Sequence, residues 1–149
     1  MTSRWDLVVV GAGPAGSAAA LGALHARPDL SVLLLDRSDF PRDKACGDGV
    51  APQVLDVLAA VGVHGLLDDC VPVDRLRLRS AGAAVSRTMA RPAYVVPRRV
   101  LDARLRDAAV TAGATVRRHR VRAVHAEPDQ VRVDDLRAAV VVGPSSGAR

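Results

Sequence analysis

The chain has 149 residues, of which 49% are hydrophobic and 25% charged, and its net charge is +5. That is the length and balance of one globular domain, too apolar for a disordered segment. Its two cysteines are too few for a disulfide framework, no C-x-x-C spacing suggests zinc, and the four histidines are dispersed, so no metal site is expected.

Trp5, Phe40 and Tyr94 are the only aromatics, so the core must be aliphatic. Lys44 is the only lysine among many arginines, and the charges read as spread along the chain rather than gathered in one basic tract. Without stacking aromatics or basic clustering, nucleic-acid binding is not expected. The positive balance suits an anionic cofactor or a membrane surface. No run approaches the ~20 apolar residues of a membrane span. The first apolar run is broken by glycines and lacks a basic leader, so a cytoplasmic location is expected.

Leu7 to Val10 is a short β-branched run, as a strand buried on both faces should be. It leads into Gly11-Ala12-Gly13-Pro14-Ala15-Gly16, and an alanine-rich helical stretch follows. A second apolar run, Ser31 to Leu35, ends on Asp36. Strand, glycine turn, helix, strand and acid form the layout that holds a dinucleotide. Gly11 permits the tight turn, Gly13 lets phosphate approach the backbone, and Gly16 seats the helix against the sheet. Free N–H groups at the helix start face the anion, and Pro14 fits the first turn, where no N–H is needed. Asp36 suits a ribose of FAD or of NAD and disfavours a 2′-phosphate, whereas Arg37 beside it keeps NADP open.

Phe40 to Gly49 reads as a loop between helix breakers. Pro52 opens a helix on which Val54, Leu58 and Val61 recur, with Leu55 alongside and Gly62 as the stop. Leu76 and Leu78 alternate with Arg75, Arg77 and Arg79, predicting a strand with one solvated face. Ala81-Gly82 marks a turn, and residues 84–90 return as the partner strand. Arg98 to Ala112 is an amphipathic helix with Leu101, Leu105, Ala108 and Ala112 on one face, ended by Gly113. Thr115-Val116 starts a strand. Val121–Ala126 and Val131–Val133 form a hairpin around Pro128-Asp129, and Ala139–Val142 is a last buried strand. The histidines are expected on the surface or in loops. The residues from Gly143 to Arg149 read as a linker or an unfinished turn.

Three segments carry a resemblance. Residues 6–17, D-L-V-V-V-G-A-G-P-A-G-S, are followed by Asp36-Arg37; residues 40–49 read F-P-R-D-K-A-C-G-D-G; residues 98–105 read R-R-V-L-D-A-R-L. In this order they resemble the front part of the geranylgeranyl reductase family of flavoproteins, a branch of the group similar to para-hydroxybenzoate hydroxylase. The resemblance implies an α/β fold: a Rossmann-like FAD-binding domain with a parallel sheet and inserted antiparallel hairpins. It implies FAD as cofactor and NAD(P)H as reductant. Gly11, Gly13 and Gly16, with Pro14 and Ala15 between them, would hold the pyrophosphate, and Asp36 and Arg37 the adenosine. Cys46, Gly47, Asp48 and Gly49 would approach the flavin ring, with Asp48 standing where the family often has glycine. Arg98, rather than Arg99, would reach the phosphates or ribityl chain.

Cys46 could tune or shield the flavin, or simply pack; Lys44 could pair with an anion or lower the thiol pKa. The chemistry implied is hydride transfer from NAD(P)H through the flavin to an alkene or to oxygen. No catalytic acid or base stands out. Family members are twice as long or more, so residues 1–149 read as the N-terminal part of the FAD-binding domain. A substrate domain and a later FAD-binding segment are expected to be missing. A small-molecule substrate is implied, with peripheral membrane contact if it is prenylated, and either a C-terminal half or a second copy as partner. An NAD-binding dehydrogenase domain and a non-catalytic remnant are the alternatives.

Overall fold

The computed structural model describes residues 4–143. Its frame is a six-stranded sheet in the order β6-β2-β1-β9-β8-β7. The strands are β1 (Arg4–Val10), β2 (Val32–Asp36), β6 (Thr115–Arg118), β7 (Val124–Ala126), β8 (Val131–Val133) and β9 (Leu136–Val142). β6, β2, β1 and β9 run parallel, and β7, β8 and β9 form an antiparallel meander that extends the same sheet. Three helices accompany it: α1 (Pro14–Ala26), α2 (Pro52–Ala60) and α3 (Arg98–Thr111). A separate sheet has the order β3-β5-β4, from β3 (Gly49–Val50), β4 (Pro72–Ser80) and β5 (Ala83–Val95). This is the mixed α/β class expected.

The period-2 alternation of the first two strands decides the layers. Leu7, Val9, Val32 and Leu34 point to one face and pack with Ala20, Leu21 and Leu24 of α1 and Ala109 of α3. Val8, Leu33 and Leu35 point to the other and meet Val133 and Ala138 of the meander. A third cluster joins α2 and α3 to the second sheet through Val50, Leu58, Leu67, Val96, Leu101 and Leu105.

Several local expectations need correction. The strand expected from Val121 begins at Val124. Asp134 explains the delay: its carboxylate accepts from the Ala123 N–H at 2.9 Å and the Arg122 N–H at 3.2 Å, so this backbone is spent before the ladder starts. The last strand is mostly not buried. Only Ala138 of β9 is enclosed, while Val140 is 53% exposed, because nothing among the described residues covers that face. The buried stripe of α3 runs through Leu101, Leu105 and Ala109, and Ala112 is exposed. Val54 of α2 is likewise exposed, since that helix turns Leu58, with Leu55 beside it, towards the core.

β5 is longer than the expected 84–90, and β4 is exposed along its whole length rather than on one face. His119 lies in a loop, as expected of the histidines, and is tied down there: its Nε2 lies 2.7 Å from Asp134 Oδ2, and its backbone N–H donates to the Asp36 carbonyl at 2.7 Å. The charges are also less scattered than expected. Arg117, Arg118, His119, Arg120 and Arg122 fall together at the end of edge strand β6.

Candidate functional site

The glycine turn sits at the carboxyl ends of the central parallel strands, where open α/β sheets take their ligands. Gly11 has φ +101°, a conformation that β-carbon sterics reserve for glycine. A β-carbon on Gly16 would lie 1.7 Å from the Gly11 carbonyl oxygen, so helix and strand meet there with no room to spare. Gly13 differs from both. Its φ is −74°, which suits any residue, and the nearest atom to a β-carbon there is the tip of the Arg42 side chain at 3.3 Å. The fold therefore does not require glycine at 13. Gly13 caps α1, Pro14 occupies the first turn, no side chain caps the helix, and no acid neutralises its positive end.

Asp36 ends β2 and ties the turn down. Its Oδ2 accepts from the Ala12 N–H and its Oδ1 from the Ser38 N–H, both at 2.9 Å. It is only 8% exposed, yet each oxygen keeps a lone pair for a further donor. Arg37 is exposed on the rim beside it.

Two arginines converge on this turn from different directions. Arg98, in the first turn of α3, makes a bidentate pair with Asp102 at 2.6 and 2.9 Å. That i,i+4 spacing puts both groups on the inner side of the helix, whereas Arg99 is exposed. Asp102 is fully buried and also lies 3.2 Å from Arg42, which reaches on towards Asp36 at 3.7 Å. The Phe40 ring stacks 4.9 Å from the Arg42 guanidinium and helps fix it. Two cations thus share one buried carboxylate, and a terminal nitrogen of each lies within 3.9 Å of the point where a Gly13 β-carbon would be. Arg42 and Asp102 escaped sequence reasoning. The available signals were the proline-arginine pair of the loop and an acid one helical turn after Arg98.

The loop of residues 46–49 lies beside this cluster. Gly47 and Gly49 have no neighbour within 4 Å of an added β-carbon and no positive φ, so the protein alone places no demand for glycine at either position. Asp48 adopts φ 55°, a backbone that accounts for a glycine preference there. Cys46 is exposed, and its thiol is held below the usual range by the Asp48 backbone N–H and then by the Arg98 guanidinium, not by Lys44.

Two clefts meet over the turn. One, of about 590 Å³, runs from Gly11 and Asp36 past Arg37 to His119 and Arg120. The other, of about 530 Å³, runs from Gly11 past Gly13 and Gly16 to Arg98 and Gly143. Val10, Gly11, Arg42 and Lys44 line both, so they form one trough with an arm on each side of the glycines. Residues 46–49 line neither cleft and stand beside the second through Arg98.

Comparison with known proteins gives one consistent answer. The FAD binding domain family matches residues 4–139. The chain is 44% identical over 119 residues to a menaquinone reductase of Mycolicibacterium smegmatis, covering 76% of this chain and 29% of that protein. It is 32% identical over 123 residues to a digeranylgeranylglycerophospholipid reductase of Methanosarcina mazei, covering 78% of this chain and again 29% of the other. The chain therefore spans under a third of these relatives. Among solved structures, the flavin-dependent brominase Bmp2 superposes with a TM-score of 0.76 at 21% identity, over 96% of this chain and 38% of its own. The myxobacterial halogenase CndH gives 0.77 at 25% identity, over 95% and 37%. A family match over nearly the whole described chain makes this protein a member of the FAD binding domain family, with FAD as its cofactor.

Proposed function

We propose that this chain is the dinucleotide-holding part of an FAD-dependent reductase that carries hydride from a reduced nicotinamide to an alkene in a small, prenyl-bearing substrate. The choice of an alkene over oxygen is supported by the relatives named as reductases of menaquinone and of digeranylgeranyl lipids. A prenylated substrate fits a cytoplasmic protein that touches a membrane from outside; none of the helices among the described residues is long and apolar enough to cross one.

One observation carries the reading: the guanidinium groups of Arg42 and Arg98 and an uncapped helix start all face Gly13, whose missing side chain the fold itself does not need. Arg42, Arg98 and the first N–H groups of α1 would hold the pyrophosphate. Asp36 would keep the turn in shape and offer its remaining lone pairs to the ribose, with Arg37 at the adenosine rim. Gly47 and Gly49 leave open space that a flat ring would fill, with Asp48 setting the bend between them and Cys46 at the edge. Bound FAD supplies the hydride chemistry; the residues of this chain bind it, orient it and limit water around it.

The test is a titration of the chain with FAD and FMN. FAD should bind more tightly, because FMN lacks the adenosine half. Gly13→Val should weaken FAD by at least about tenfold while circular dichroism stays unchanged, since a branched side chain would stand where phosphate must pass. Equal affinity for FMN and FAD, or full affinity in the valine variant, would place the ligand elsewhere.

A further inference from the structure

Arg42 stands at the waist of the trough. It lines both clefts, so a dinucleotide lying along the two arms must pass it. Its side chain is only 19% exposed, and its two terminal nitrogens have different partners. Nη1 lies 3.2 Å from the buried Asp102 carboxylate. Nη2 lies 3.7 Å from Asp36 Oδ2 and 3.3 Å from the place of a Gly13 β-carbon. The guanidinium fork thus bridges an acid of α3 and an acid of β2 across the glycine turn. Among the described residues no other cation joins these two acids, since Arg98 pairs with Asp102 only.

This bridge sets two demands against each other. Asp36 Oδ2 accepts from the Ala12 N–H at 2.9 Å, and Nη2 draws on the same oxygen. At 3.7 Å the contact is too long for a hydrogen bond but close enough to damp the negative potential of the carboxylate. A ribose hydroxyl donating there would meet a partly neutralised acceptor. A phosphate at Gly13 would meet Nη2 as well, and at hydrogen-bond distance it would hold a guanidinium more strongly than the looser carboxylate does. Nη1 on Asp102 and the Phe40 ring 4.9 Å from the guanidinium keep the fork in place. A small turn about that anchor is enough to pass Nη2 from Asp36 to the phosphate.

We propose that Arg42 couples the two halves of the cofactor site: drawn towards Asp36 it restrains ribose binding, and phosphate at Gly13 draws it away and frees that carboxylate for the ribose. The proposal rests on reading the trough as the FAD site, with the pyrophosphate at Gly13 and the adenosine ribose at Asp36. Phosphate then strengthens adenosine binding, and adenosine strengthens phosphate binding by the same factor. Each half alone meets a fork still committed to the acids, so the site selects adenosine that arrives joined to phosphate.

The experiment is calorimetric titration of the full chain with adenosine, alone and with saturating inorganic pyrophosphate, beside displacement of FAD by ADP. Pyrophosphate should tighten adenosine by about threefold, the scale of a partly exposed ion pair. Arg42→Gln should weaken ADP by about tenfold, as one charge-assisted hydrogen bond is lost, yet tighten adenosine by about threefold and abolish the effect of pyrophosphate. Arg42→Lys keeps the charge but has one nitrogen where the fork has two, and the effect of pyrophosphate should shrink there as well. A plain phosphate ligand would leave adenosine binding unchanged in the glutamine variant, and a merely structural residue would weaken both ligands; either result would overturn the coupling. So would adenosine affinity that ignores pyrophosphate in the unaltered chain while ADP still displaces FAD, which leaves the site itself standing. Pyrophosphate that fails to bind, or ADP that fails to displace FAD, would remove the site and the coupling with it.

Discussion

Leu34 in β2 and Leu78 in β4 are the same residue in paired strands, yet Leu34 is fully buried and Leu78 is 64% exposed. The difference lies in what stands over each strand. β2 has helices on one face and the meander on the other, so successive residues bury in opposite directions. Among the described residues nothing covers the outer β4–β5 ribbon on either side: Leu76, Leu78 and Val85 share one exposed face, and Arg75, Arg77 and Arg79 share the other. Backbone hydrogen bonds define the ribbon, whereas burial defines the sheet. Substitutions near the glycine turn should therefore be costly, and equally drastic ones in the ribbon nearly silent.

Gly16→Ala tests the tight end of that contrast most severely. Its single methyl group would meet backbone, not a flexible side-chain tip, at 1.7 Å. Forcing α1 off β1 should cost about 3 kcal/mol or more. Urea unfolding measures it, and an unchanged midpoint would mean that the helix is not seated on the strand as described. Asp102→Asn comes next. It keeps the shape but leaves Arg98 and Arg42 without the buried charge that both now face. A loss of about 3 kcal/mol is expected, the low end for breaking a buried pair, because both arginines are partly exposed. FAD affinity should fall with it as the two guanidinium groups lose their positions. A variant with unchanged stability would show that the cluster organises nothing.

Asp48→Gly should act in the opposite direction. A non-glycine residue at φ 55° carries a steric cost, part of which the greater freedom of glycine in the unfolded chain cancels. The expected net gain is about 0.5 kcal/mol, read as a small rise in the urea midpoint. A clear loss would mean that the Asp48 side chain holds the loop in a way its backbone does not reveal.

Much of the tight region was legible in the chain because its signals are local. A β-branched run, glycines at fixed spacing and a terminal acid each constrain backbone within a few residues, and the first two strands and α1 follow from them. The rest depended on distant partners. Val121 to Ala123 has the composition of a strand, but the distant Asp134 carboxylate takes the N–H groups of Arg122 and Ala123. Ala139 to Val142 reads as buried because it is apolar, yet only the covering layer decides burial. Arg42 and Asp102 belong to separate motifs, and their meeting over Gly13 is a consequence of tertiary packing. The basic group after β6 was visible as letters, but its placement beside Arg37 required the β2–β6 register.

The gentlest test lies in the ribbon. Leu34→Ala removes a side chain enclosed on all sides and should cost about 2–5 kcal/mol. Leu78→Ser removes one that already faces solvent and lies opposite Val85 on the neighbouring strand. Such a pair contributes at most about 0.2–1 kcal/mol, and exposure on this face should hold the loss to the lower part of that range. The hydrogen bonds of the ladder do not depend on the side chain, so the ribbon should persist, with unchanged strand content by circular dichroism. A serine variant that loses as much stability as the Leu34 variant would mean that the apolar face of the ribbon is covered in solution. The contrast between the two regions would then be one of partners rather than of burial within the chain.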